Sequence, residues 1–181
     1  MGLPSFDLLS AAARHKLWSG DALGQADGRV IGTGHAALDA ELPGGGWPVG
    51  GMNELLQAAP QAHAWPLLLP PLAQAVRERP GPVVLAGAPH EPSGPALAAQ
   101  GLPVESLLWV RCDASPVGPH GSSRLWVCEQ ALRCAEVAAV LAWLPQARAE
   151  DLRRLHLAAQ GGDKLLLVFR GAGARIQSSP A

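Results

Sequence analysis

The sequence predicts an α/β fold: an open, mainly parallel sheet of about five strands with helices on both faces. Three observations carry this reading. Val83–Ala86 and Val137–Trp143 are apolar at consecutive positions, as in strands buried on both faces of a parallel sheet. These runs alternate with stretches whose apolar residues recur at helical spacing. The 181 residues contain no internal repeat and fit one domain of ordinary size.

Taken in order, Ser5–Lys16 predicts a short helix with Ser5 as N-cap and Phe6, Leu9 and Ala13 on one face. A Gly-rich connection follows, then a brief helix over His35–Leu42 and a loop over Pro43–Gly51. Met52–Leu56 reads as the first strand, and Ala64–Arg79 as an apolar helix. Pro70 and Pro71 remove backbone donors there, so a kink, or a start near Pro70, is expected. Strand Val83–Ala86, helix Pro95–Gln100 and strand Leu107–Arg111 come next. Helix Ser122–Cys134 then places Leu125, Cys128 and Leu132 on one face. Strand Val137–Trp143 leads to helix Ala149–Gln160, with Leu152, Leu155 and Ala159 inward and Gly161–Gly162 as its stop. Lys164–Phe169 is the last strand. Three parts are expected: residues 1–34, an N-terminal helix and connection; residues 35–170, the α/β domain; and residues 171–181, a flexible Gly/Ala/Ser tail.

Composition narrows the function classes. The formal charge is −1, from 14 Lys+Arg against 15 Asp+Glu, and only Lys16 and Lys164 are lysines. No net basic field attracts nucleic acid, so at most weak DNA binding through local arginines is expected. The apolar run Ala64–Val76 is broken by three prolines and is too short to cross a bilayer. Met1–Lys16 lacks the basic start and apolar core of a secretion signal. A soluble cytoplasmic protein is expected, with no membrane partner. Cys112, Cys128 and Cys134 form no C-x-x-C pair, which predicts free, buried thiols rather than a metal site.

The chemistry-bearing motifs are mostly missing. A phosphate loop after the first strand needs glycines, a lysine and a Ser/Thr. Residues 55–66, Leu-Leu-Gln-Ala-Ala-Pro-Gln-Ala-His-Ala-Trp-Pro, contain none of these. Val137–Leu141 runs on into Ala142-Trp143-Leu144, where a magnesium-holding aspartate is expected in a nucleotide site. The Gly44–Gly51 cluster precedes a strand instead of following one, and reads as a structural turn. No G-x-S-x-G elbow exists. His90-Glu91 is a weak candidate for a base, His63, His120 and His156 lack an acid at a telling spacing, and Glu129/Arg133 reads as a solvated helix pair. No catalytic residue, cofactor or metal is expected. Six tryptophans against two Phe and no Tyr are the remaining oddity. Packing explains most of them, and an exposed indole marks a partner site.

Thr33–Leu55 carries G-x-x-x-L-D at Gly34–Asp39, then Gly44-Gly45-Gly46-Trp47-Pro48-Val49-Gly50-Gly51, then a strand. This resembles the RecA-type approach to the first core strand, with the phosphate loop degenerated. Together with Leu67-Leu68-Leu69-Pro70, Gln130–Arg133, Val140–Pro145 and Leu152–Leu155, it is similar to the ImuA family, RecA-like accessories of the damage-induced mutasome. From Glu54 to Arg170 the chain also resembles SulA, the SOS inhibitor of the division GTPase FtsZ, which lacks the segment before Glu54. The ImuA resemblance implies a RecA-like core without nucleotide chemistry and a non-catalytic role in SOS-induced translesion synthesis. It implies partners, RecA and the ImuB-type polymerase homologue with an error-prone polymerase, possible self-association, and nucleoid association on DNA damage. Candidate partner contacts are Phe6 and Leu9 in the N-terminal helix, His63 and Trp65 beside the degenerate loop, and the cations Arg148, Arg153 and Arg154. The SulA resemblance implies FtsZ as the alternative partner.

With neither lysine nor hydroxyl in the loop, calorimetry with ATP and magnesium is expected to stay flat at millimolar nucleotide. A saturable Kd near about 10 micromolar, about −7 kcal/mol, would contradict this.

Overall fold

The computed structural model describes residues 28–59, 64–112 and 123–180. The expected helix Ser5–Lys16, with Phe6 and Leu9, lies outside the described residues, as does His63. Five parallel strands form the sheet: β3 (Met52–Gln57), β4 (Val83–Ala86), β5 (Leu107–Val110), β6 (Ala139–Trp143) and β7 (Leu165–Gly171), in the order β3-β7-β6-β4-β5. The crossovers are α2 (Trp65–Glu78), α3 (Gly94–Ala99), α4 (Ser123–Arg133) and α5 (Ala149–Gly162). Fold class and sheet are as the sequence predicts.

The consecutive apolar runs explain the layering. Along β4, Val83 and Leu85 join one core while Val84 and Ala86 join the other; Leu141 and Val140 on β6, and Leu167 and Val168 on β7, divide likewise. The first core is closed by Leu68, Leu69 and Leu72 of α2 and Leu97 of α3. The second is closed by Cys128 and Leu132 of α4 and Leu152, Leu155 and Ala159 of α5. Side chains of one strand point to alternate faces, so a strand apolar throughout needs a helix layer on each side.

Three local expectations are corrected. Helix α2 runs uninterrupted from Trp65 through Pro70 and Pro71. Pro70 cannot donate to the carbonyl four residues earlier, that of Pro66, and a ring nitrogen of His35 lies 3.3 Å from that oxygen. Burial of Leu68, Leu69, Pro71 and Leu72 against the sheet offsets the lost bonds. Helix α5 does not stop at Gly161–Gly162; it includes both and ends at Asp163 in the left-handed region, φ 47°. Gly162 serves packing instead, because a Cβ there would lie 2.5 Å from the Leu132 carbonyl oxygen of α4. Finally, residues Ala172–Ile176, expected in a flexible tail, form a 3-10 turn with Ala174 buried.

A small antiparallel pair that periodicity does not reveal precedes the sheet: β1 (Val30–Ile31) against β2 (Trp47–Pro48). Between them lie α1 (Ala36–Asp39) and a 3-10 turn at Pro43–Gly45. The L-D of the motif has a structural task, since the Asp39 carboxylate accepts the Thr33 amide at 2.8 Å. The amide of Asn53 on β3 donates to the carbonyls of Pro48 and Leu166, both at 3.0 Å, and so ties β2 to the main sheet. Ile31, Trp47 and Val49 are buried in the first core. Leu38 and Leu42 only pack on its margin, and no residue of α1 is buried. Arg29 pairs with Glu78 and, at 3.1 Å, with Asp163, which Arg79 also faces.

Truncating a buried Ile costs about 2–5 kcal/mol, so urea unfolding of Ile31→Ala should show a loss in that range. Leu38→Ala should lose distinctly less. Equal losses would mean that α1, and not β1, holds the lead-in to the core.

Candidate functional site

The winding of the chain fixes where a site can form. Strand β4 exits into α3 on one face, and its neighbour β6 exits into α5 on the other. Adjacent strands whose connections leave in opposite directions open a crevice at their C-terminal ends, the place where α/β sheets bind ligands. A cavity of about 500 Å³ lies there, within the range of small-molecule sites. Gly87 after β4, Trp109 and Arg111 at the end of β5, Arg124 of α4, Trp143 of β6 and Phe169 and Arg170 of β7 line it.

Each side chain is placed by the sheet. Trp143 and Phe169 are register partners on β6 and β7, and their rings stack with centroids 4.5 Å apart. The Arg111 guanidinium lies 4.4 Å from the Trp109 ring centroid, a cation–π contact, and 3.9 Å from the Glu91 carboxylate. Arg124 crosses Gly87, where φ is +67° and a Cβ would meet its Nε at 2.6 Å, so a side chain there would be strained and would displace the guanidinium. Its Nη1 donates to the Trp143 carbonyl at 3.2 Å.

Arg170 is the buried charge of the site. It donates to Glu54 on β3 at 2.7 Å and to the Ala147 carbonyl at 3.2 Å. It also donates to the Gln177 side chain, which holds the terminal turn against the sheet. Cys112 lines the cavity, whereas Cys128 lies in the second core, where burial pushes its thiol up to about 12. Cys134 is exposed, so only Cys128 fits the expectation of a buried thiol.

Among the described residues, no Asp, Glu, His, Lys, Ser or Thr lines the cavity. The polar side chains of the described lining are Gln57, Cys112 and the three arginines, beside the indoles of Trp109 and Trp143. Among those residues there is also no group of three or more His, Cys, Asp or Glu able to hold a metal. Lys164 sits before β7, at the opposite end of the sheet, and its ammonium donates to the Val137 carbonyl at 2.9 Å.

The other residues singled out in the sequence do not converge. Trp65 is half-buried against the first core. Arg148 is exposed at the start of α5 and lies 3.8 Å from Glu150. Arg153 is exposed, with no ion pair among the described residues. Arg154 donates to Glu129 at 2.7 Å across the α4–α5 contact. Glu129 is 9% exposed and also takes Arg133, so the pair read as solvated is in fact half of a helix–helix clamp. His90 is exposed, and its neighbour Glu91 faces Arg111. Trp126, 51% exposed, is the one large exposed indole among the described residues. The cavity itself escaped sequence reasoning because its lining comes from the ends of all five strands and a helix, far apart in the chain.

No family model matches the chain. Over 113 residues it is 32% identical to the cell division inhibitor SulA of Edwardsiella piscicida, a match covering 62% of this chain and 64% of that protein. Over 160 residues it is 30% identical to the protein ImuA of Caulobacter vibrioides, covering 83% of this chain and 62% of that one. The chain is similar to both ImuA and SulA. It spans less than two thirds of the length of either relative. The crystal structure of SulA from Pseudomonas aeruginosa shares the fold, with TM-score 0.51 at 23% identity over 66% of this chain and 96% of that one. No helix among the described residues is long and apolar enough to cross a membrane.

Removing one partner of a buried ion pair leaves an uncompensated charge and costs about 3–5 kcal/mol. Glu54→Gln, measured by urea unfolding, should approach that loss. A change below about 1 kcal/mol would show that the carbonyl and Gln177 contacts of Arg170 suffice.

Proposed function

We propose that this chain is a non-catalytic accessory of SOS-induced translesion DNA synthesis. It acts by protein contacts with RecA and with an ImuB-type polymerase homologue working beside an error-prone polymerase. The observation that supports this reading is the lead-in before β3. A match covering 83% of the chain, as with ImuA, must include residues 34–51, whereas one covering 62%, as with SulA, need not. That lead-in is part of the core through Ile31, Trp47 and Val49. The cavity lining, rich in arginine and indole and without an acid–base pair among the described residues, suits a protein that docks instead of one that turns over a substrate.

On this reading the RecA-like shape is retained while the hydrolysis switch is lost with the phosphate-loop residues. Exposed Arg148 and Arg153, at the start of α5, are the contacts offered to an acidic partner surface, with Phe6, Leu9, His63 and Trp65 as further candidates. Arg154 contributes less, because Glu129 already holds it.

A second reading, inhibition of cell division through FtsZ, is favoured by the 32% identity to SulA. One experiment separates the two. Full-length protein is added to FtsZ at stoichiometric concentration and GTPase activity is measured, while the same protein is used as bait in lysate from DNA-damaged cells. The expected result is unchanged GTPase activity and recovery of RecA and the polymerase homologue. Stoichiometric inhibition, with FtsZ recovered on the bait, would replace the translesion reading with the second one.

A further inference from the structure

Three donors at the C-terminal edge of the sheet have no acceptor among the described residues. Nε of Arg124, Nε of Arg170 and Nε1 of Trp109 are all buried and without a hydrogen-bond partner there. Buried donors in native structures are almost always paired, so unpaired ones beside a cavity call for an acceptor supplied by a water, an ion or a ligand. Trp109, Arg124 and Arg170 line the same cavity of about 500 Å³.

The charges around that cavity do not cancel. Arg170 is matched by Glu54 at 2.7 Å, and Arg111 faces Glu91 at 3.9 Å. Arg124 meets only a carbonyl, that of Trp143, and has no carboxylate among the described residues. Among the described residues one positive charge is therefore left over, on a guanidinium whose Nε is unpaired. The walls beside it are flat and apolar: the Trp109 indole and the Trp143–Phe169 stack.

We propose that this crevice binds a monocarboxylate carried on an aromatic ring. Arg124 clasps the carboxylate, the Trp109 indole N–H supplies a further donor, and the rings of Trp109 and Trp143 flank the ligand. A guanidinium edge matches a carboxylate in a two-point, charge-assisted contact. A single unmatched cation suits a monoanion. A nucleoside triphosphate would bring several negative charges to a site with neither lysine nor hydroxyl in its described lining. The inference is independent of the proposed function. Its chemistry is shared by a free aromatic acid and by the C-terminal phenylalanine of a peptide.

The test uses the full chain labelled with 15N and follows the tryptophan indole N–H resonances, with that of Trp109 assigned by Trp109→Phe. Phenylacetate titrated to about 10 mM should shift the Trp109 resonance saturably, while phenylacetamide and phenethylamine bind at least about tenfold more weakly. Arg124→Gln should weaken phenylacetate binding at least about tenfold and leave the amide unaffected. Should that variant fail to fold, the acid-to-amide ratio on the unsubstituted chain decides alone. A second arm compares acetyl-Gly-Gly-Phe bearing a free carboxylate with its C-terminal amide. Preference for the free peptide acid makes a chain terminus the source, and binding of phenylacetate alone makes a small acid the source. Absence of a saturable shift, equal binding of acid and amide, or a folded Arg124→Gln that binds phenylacetate unchanged overturns the proposal.

Discussion

Burial of β7 on both faces is the constraint from which the rest of the architecture follows. Every residue from Leu165 to Arg170 is buried, so its backbone groups must find partners in β3 and β6, because water is excluded from both sides. Leu166 and Val168 then demand one helix layer, and Leu165, Leu167 and Phe169 the other. A single polar residue in this strand, Arg170, requires an acid on the neighbouring strand, which Glu54 supplies. That ion pair joins the first and last strands of the sheet and, through Gln177, fixes the course of the chain beyond it.

The same constraint explains why residues before β3 belong to the fold. Strand β3 pairs with β7 alone and forms one edge of the sheet. The α2 face of the sheet would remain open there without Ile31, Trp47 and Val49. Asn53 completes the attachment by spending its side-chain amide on two backbone carbonyls, one from the lead-in and one from β7. A hydrophobic residue at that position could not bridge the two layers.

The sheet was legible in the sequence because apolar runs such as Val83–Ala86 have one reading when helical segments flank them. Helices α4 and α5 were legible for the same reason: Cys128 and Leu132, then Leu152, Leu155 and Ala159, all face inward as their spacing requires. The errors arose where tertiary contacts override local rules. Pro70 and Pro71 are poor helix residues, yet α2 carries them through because its apolar face is worth more than two backbone bonds. Gly162 looks like a stop signal, but the nearby Leu132 carbonyl requires its lack of a side chain. Glu129 looked solvated because its second cation, Arg154, lies on another helix. Nothing in the local sequence around Arg124 or Trp109 announces a cavity; only the strand order brings them together.

Strand order also separates the place of binding from the chemistry done there. In an α/β sheet the crevice between oppositely directed connections exists whether or not a phosphate loop fills it. Here residues 55–66, after β3, carry no glycine, lysine or hydroxyl side chain, and Lys164 works at the far end of the strands as a clamp on the Val137 carbonyl. The crevice persists because the packing that creates it, α3 on one face and α5 on the other, is the packing that holds the sheet together. Its described walls carry tryptophan and arginine, side chains suited to stacking and to fixed-charge contacts. A cavity at this place thus follows from the topology, whichever side chains line it.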